Sequence, residues 1–175
     1  LIDAGMLPAD YPITVNAVSG YSGGGKSMIE AYEVKKTAPS FELYGLGLEH
    51  KHVPEIVKWS ALKARPLFVP SVGNFRQGML VCVPLQLDTL PGRPMAADLE
   101  AALQKHYTGQ KYVRVVHPDT SGRLDALALN GTNDLELMVY ANEGRRQAVL
   151  VARLDNLGKG ASGAAVQNCE LMLGL

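Results

Sequence analysis

Apolar and polar residues alternate along Pro12–Ser19 (PITVNAVS), and the branched side chains there favour extended backbone, so this stretch predicts a strand. A glycine-rich turn follows at Gly20–Gly25, then a short helix over Ser27–Val34, a loop over Lys35–Ser40 and a second strand over Phe41–Gly45. Pro54 suits the first turn of a helix, where a missing N–H costs no bond. That helix is predicted to run to about Ala64, before Arg65–Pro66 stops it. Leu67–Val72 and Gly78–Leu87 read as strands, and Pro84 in the second predicts an edge or a bulge. After a turn at Leu90–Pro94, Met95–Tyr107 sets Leu99, Ala102, Leu103 and His106 on one stripe of an amphipathic helix. Tyr112–Val116 is a further strand and Pro118–Gly122 a turn. Asp134–Ala141 and Gln147–Leu154 form a hairpin around Asn142–Arg146. Gly158–Gly163 leads into a last helix, Ala164–Leu173.

About seven strands and four helices, joined mostly by hairpin-type links, predict an α+β layer: a largely antiparallel sheet with helices on one face. The alternating βαβ series of a doubly wound nucleotide domain is missing, and no G-x-G-x-x-G follows an opening strand. The 175 residues suit one domain with a real core. The opening LIDAGMLPAD reads as the last turn of a helix, a glycine stop and a loop, which predicts that further chain precedes Leu1.

Charge narrows the function classes. Lys plus Arg and Asp plus Glu each total 17, so the net charge is zero and nothing basic points to nucleic acid or a membrane surface. The longest apolar runs, such as Gly78–Leu87, fall far short of a membrane span, and no leader pattern opens the chain. Cys82 lies in an apolar run and Cys169 in a predicted helix. Two such cysteines form no disulfide framework or metal pair; they read as buried, reduced thiols in a cytoplasmic setting.

Gly20-Tyr21-Ser22-Gly23-Gly24-Gly25-Lys26-Ser27 matches the phosphate-loop pattern G-x-x-x-x-G-K-[ST], between a strand and a helix. Lys26 would reach outer phosphates and Ser27 a magnesium ion. Against a nucleotide hydrolase stand the short following helix, the missing parallel βαβ series and a poor second acidic motif, with Leu85–Asp88 following Pro84. A glycine turn demanded by tight backbone geometry, or an anion site for a phosphorylated substrate, are the other readings. The second constellation is His50-Lys51-His52-Val53-Pro54-Glu55, between a strand and a proline-started helix. Either imidazole can serve as general acid or base. With Glu55 the pair offers metal ligands too, but His106 and His117 lack ligand spacing to it, and no metal is expected.

Four segments together resemble one family. NAVSGYSGGGKS (16–27) is similar to its Ser-Gly-x-Ser-Gly-x-Gly loop, and HKHVPE (50–55) to its His-x-His-x-Pro-Glu motif. PSVGNFRQGMLVCVPL (70–85) resembles its strand pair around an Arg-x-Gly core, and KGASGAAVQN (159–168) its C-terminal signature. LIDAGMLPAD resembles the stretch after its cysteine helix. The family is that of N-acetyl-gamma-glutamyl-phosphate reductases, in their shorter bacterial type, and the similarity covers essentially the whole chain.

The resemblance implies a domain like the C-terminal domain of glyceraldehyde-3-phosphate dehydrogenase over residues 1–157. It also implies a helix over 158–175 that returns to a Rossmann domain outside this chain. The activity implied is NADP(H)-dependent reduction of N-acetylglutamyl 5-phosphate in arginine biosynthesis, through a thioester on a cysteine that neither Cys82 nor Cys169 represents. A homo-oligomer, dimer or tetramer, is implied as well. Ser19, Gly20, Ser22, Gly23 and Lys26 would line the substrate or phosphate pocket, and Arg76 would bind a carboxylate or phosphate. Gly160, Gln167 and Asn168 would approach the cofactor. His50 or His52 would move the proton, with His50 slightly preferred because His52 is close to the helix start. The nearest rival is a carrier-linked aminoadipyl-phosphate reductase of lysine biosynthesis, which a basic patch for an acidic carrier would favour.

Overall fold

Odd-numbered residues of the first strand point to one face and even-numbered ones to the other, and the odd set supplies the strand's core side chains. In the computed structural model, which describes residues 1–175, Val15 and Ala17 enter the core while Asn16 stays exposed. That strand, β1 (Thr14–Gly20), is joined by β2 (Phe41–Leu43), β3 (Leu67–Gly73), β4 (Met79–Gln86), β5 (Val113–Val115), β6 (Leu135–Asn142) and β7 (Gln147–Leu154). They form one sheet in the order β2-β3-β1-β4-β7-β6-β5. β1 with β3 and β5 with β6 run parallel, and every other neighbouring pair is antiparallel. This is the expected α+β, mainly antiparallel mixed sheet.

The helices are α1 (Gly25–Ile29), α2 (His52–Ser60), α3 (Ala96–Tyr107) and α4 (Gly163–Leu173). Val53 of α2 and Leu99 of α3 sink into one core with Val15, Ala17, Phe68, Leu85, Val139 and Ala148, so both helices cover the same sheet face. The N-terminus of α3 is held by one carboxylate from outside the helix and one from its own first turn. Glu143 Oε1 accepts from Ala96 N–H at 2.6 Å, and Asp98 accepts from Met95 N–H at 2.8 Å. Both satisfy donors that the helix cannot pair itself, and both suit its dipole.

Two helix boundaries and two side-chain placements differ from the sequence expectation. The first helix begins at Gly25 and continues beyond Ile29 as a π turn, Glu30–Lys35. α2 ends at Ser60 rather than near Ala64, because Ala61 turns left-handed (φ 59°). That turn lets Leu62 bury in the core while the N–H groups of Lys63 and Ala64 reach Ala9 O. Pro84 is in a strand flanked on both sides, not at the sheet's edge. β1 pairs only with Met79–Cys82, however, so that side of β4 is open beyond Cys82. Leu87 N–H points to Arg146 across β7, while Gln86 N–H turns the other way, to Tyr11 Oη. By alternation the Pro84 nitrogen shares the open side with Gln86, where a missing donor breaks no ladder bond. Cys169 is exposed, contrary to expectation, since α4 buries none of its residues.

Candidate functional site

β1 ends in a change of direction that fixes everything after it. Gly20 N–H donates to Gly78 O, and Ser22 N–H to Arg76 O. A Cβ at Gly20 would lie 2.5 Å from Arg76 O, so only glycine lets the two backbones meet. The chain then winds through a 3-10 turn, Tyr21–Gly24, into α1. Ser19, two residues after Ala17, faces the same side of the sheet as the core. It opens into a cleft of about 270 Å³ beside Ser22, Gly23, Tyr44, His52, Asn156 and Gly160. A smaller hollow of about 220 Å³ adjoins it and adds His50, Lys51 and Met28. A wider groove of about 550 Å³ lies between α3 and β5. It is shallow, and its charged lining is already engaged: Arg114 with Asp134 and Glu136, His117 with Glu100. The smaller, deeper cleft is where the sequence motifs meet.

The two histidines there differ in what their rings can do. His52 N–H donates to His50 Nδ1 at 3.2 Å. A backbone N–H only donates, so His50 Nδ1 is an acceptor and a neutral ring carries its proton on Nε2. Burial, then the charges of His52 and Lys51, push the His50 pKa below its ordinary value. Its ring packs edge-on against Phe68 at 5.0 Å. His52 stands on the first turn of α2 with Nδ1 2.6 Å from Glu55 Oε2. A carboxylate accepts, so His52 Nδ1 donates and Nε2 is left free to take or give a proton. Tyr44 lines both hollows, with its hydroxyl pKa raised by burial.

A turn that the motifs only grazed closes the cleft from the other side. Asp155 is 1% exposed. Its carboxylate accepts from Gln77 Nε2 (2.8 Å), Gly131 N–H (2.7 Å) and Leu157 N–H (2.9 Å). Burial opposes its charge, but backbone N–H groups of Gly131, Leu157 and Gly158 and the Gln77 amide outweigh that and hold its pKa low. Beside it, Asn156 bridges Gly78 N–H and Ser22 Oγ. Sequence reading missed Asp155, Asn156 and Tyr44. An Asp-Asn pair at a strand end, and a tyrosine between Leu43 and Gly45, give no signal until the fold brings the segments together.

Of the expected site residues, Ser19, Ser22, Gly23, His52 and Gly160 line the main cleft and His50 the adjoining hollow. The others lie elsewhere. Gly20 is buried behind the loop as a backbone contact. Lys26 is exposed and lines neither hollow. The Arg76 guanidinium pairs with Glu33 at the surface, so the Arg-x-Gly core acts through its backbone instead. Gln167 accepts from Lys159 Nζ, and Asn168 is exposed on α4. Cys82 lines neither hollow, and burial raises its thiol pKa, the wrong direction for a nucleophile. No group of three or more metal-ligating side chains is assembled.

Residues 1–156 match the family described as semialdehyde dehydrogenase, dimerisation domain. The chain belongs to that family. The semialdehyde dehydrogenase fold is also what a solved structure shares: aspartate semialdehyde dehydrogenase II from Vibrio cholerae. It superposes with a TM-score of 0.68 at 17% identity, covering 98% of this chain and 56% of that one. Much closer in sequence is N-acetyl-gamma-glutamyl-phosphate reductase 2 of Pseudomonas putida, 53% identical over 179 residues. An N-acetyl-gamma-glutamyl-phosphate reductase of Brucella ovis is 54% identical over 181. Each alignment takes in 99% of this chain, which spans 57% and 58% of those two relatives. Membership disposes of the nucleotide-hydrolase reading of Gly20–Ser27, whose strand is flanked by one parallel and one antiparallel neighbour.

Proposed function

We propose that this chain is the catalytic and dimerisation part of an NADPH-dependent reductase of arginine biosynthesis, working in the cytoplasm. The reaction takes N-acetylglutamyl 5-phosphate, NADPH and a proton to N-acetylglutamate 5-semialdehyde, phosphate and NADP⁺. The observation that carries this reading is one cleft holding a phosphate-suited serine–glycine turn opposite a Glu55-oriented His52, in a chain whose relatives bear that reductase's name.

The geometry supports one division of labour. A thiolate from outside this chain would attack the acyl carbon, expelling phosphate and leaving a thioester. Ser22 and the backbone at Gly23 would hold the phosphate. NADPH, when bound, supplies the hydride that takes the thioester carbon to the aldehyde level. His52 would pass the proton through Nε2, because the Glu55 carboxylate accepts at Nδ1 and orients the ring. His50, tied at Nδ1 and held neutral, would be a hydrogen-bond donor beside it, which reverses the preference drawn from sequence. Gly160 and Ala161 at the cleft mouth carry nothing larger than a methyl group, which fits the approach of a flat ring. Gln167 and Asn168 would meet the cofactor only along α4, away from the cleft. That helix exposes Val166, Leu171, Met172 and Leu173, an apolar surface suited to docking on a nucleotide domain.

The test is the reverse reaction of the full-length protein, with N-acetylglutamate 5-semialdehyde, phosphate and NADP⁺, following NADPH formation by its absorbance. Phosphate-dependent turnover is expected, and none from this chain alone. Turnover only with a carrier-linked aminoadipyl semialdehyde would move the substrate to the lysine-type reductase.

A further inference from the structure

Ser22 is only 6% exposed, yet its Oγ borders the cleft. A buried hydroxyl has one proton to give, and where it points is decided by its neighbours. The neighbour here is Asn156. Its Oδ1 accepts from Gly78 N–H at 2.8 Å, and a backbone N–H can only donate. The amide orientation is therefore fixed, with Nδ2 on the other side. Nδ2 lies 2.9 Å from Ser22 Oγ, so Ser22 accepts there and its own proton is left without a protein acceptor. Asn156 is itself held in place, because the preceding Asp155 carboxylate gathers Gln77, Gly131 and Leu157 around the same turn.

We infer that Asn156 is a positioning residue: it locks the Ser22 hydroxyl as a donor into the cleft, where it can serve an acceptor such as a phosphate oxygen. Gly23 belongs to the same device. A Cβ there would lie 3.3 Å from Ser19 Oγ and 3.5 Å from Asn156 Nδ2, so a side chain would crowd the spot where both serines and the amide converge. The inference deepens the proposed function and rests on its placement of phosphate at Ser22. It assigns that placement to a residue from a turn more than a hundred positions away in sequence.

The discriminating change is Asn156→Asp. A carboxylate still accepts from Gly78 N–H, so the backbone link survives, but it cannot donate to Ser22, whose proton would then turn away from the cleft towards residue 156. The measurement is inorganic phosphate binding to the full-length protein by calorimetric titration, for wild type, Asn156→Asp, Ser22→Ala and the double variant. Asn156→Asp should weaken phosphate by about tenfold or more, the scale of one hydrogen bond to a charged group. In the Ser22→Ala background the same change should cost less than about twofold, because the hydroxyl it acts through is gone. Phosphate bound as tightly by Asn156→Asp as by wild type would overturn the inference. So would an Asn156→Asp penalty undiminished in the Ser22→Ala background, which marks plain charge repulsion or general distortion, and so would a wild-type protein that does not bind phosphate. The reductase reading fails separately: coupled phosphate binding without turnover of the semialdehyde sinks the reaction and leaves the positioning role intact.

Discussion

At Asp155 a single carboxylate accepts from two backbone N–H groups and a side-chain amide. Truncation in Asp155→Ala would leave the Gly131 and Leu157 N–H groups and the Gln77 amide without their acceptor. Each buried unsatisfied group costs about 1–3 kcal/mol, so a loss of roughly 3 kcal/mol or more is expected in urea unfolding, and less than about 1 would contradict this account. The sign of its pH dependence follows from the direction of the shift. The folded pKa lies below the unfolded one, so the charged form stabilises the fold above about pH 4, and that stabilisation is lost as pH falls through the folded value. Asp155→Asn should therefore flatten the acid limb of the stability profile. His50 acts in the same sense at higher pH. Its folded pKa is also depressed, so its contribution is complete above about 6.5 and is lost as pH falls through the folded value. For the chemistry, His52→Ala should lower kcat of the full-length protein by about 10²–10⁴, the usual range for a general acid–base. His50→Ala should cost less, and the reverse order in a steady-state comparison would restore His50 as the acid–base.

The sheet holds because α2 and α3 press Val53 and Leu99 into the face formed by β1, β3, β4, β6 and β7. Leu99 is wholly buried, so Leu99→Ala should destabilise by about 2–5 kcal/mol in the same unfolding experiment. A value near zero would mean that α3 is not a structural part of this core. At this scale much was legible in the sequence. Period-two alternation placed β1, β3, β6 and β7 to within a residue or two, and the Leu99–Leu103 stripe placed α3. The errors arose where tertiary contact overrode local preference. Ala61 leaves the helix because Leu62 must bury, and Pro84 sits in a flanked strand because its nitrogen meets no neighbour. The lining of the candidate cleft was legible in half. Local motifs announced the serine–glycine turn and the histidine pair. Local spacing also suggested Lys26 and Arg76, which the fold turns outward, and it gave no hint of Asp155 and Asn156, whose partners are far along the chain.

Across the whole molecule, one sheet face is covered by α2 and α3 while the other keeps half-buried apolar positions, among them Val18, Leu80 and Val149. Alternation assigns them to the face opposite Ala17, Val81 and Leu150. We propose that a second copy of the chain covers that face, a reading supported by the description of the family as a dimerisation domain. The chain should sediment as a dimer at micromolar concentration, and Val149→Lys should shift it towards monomer. Wild-type monomer throughout would count against the assignment. The central claim is that the cleft between Ser22, His52 and the Asp155–Gly160 turn is where the acyl phosphate reacts. The most direct test is a crystal structure of the full-length protein with N-acetylglutamate 5-semialdehyde and phosphate. The account predicts phosphate within hydrogen-bond reach of Ser22 Oγ and the aldehyde carbon facing His52 Nε2. Both ligands bound clear of this cleft in a protein that turns them over would contradict it.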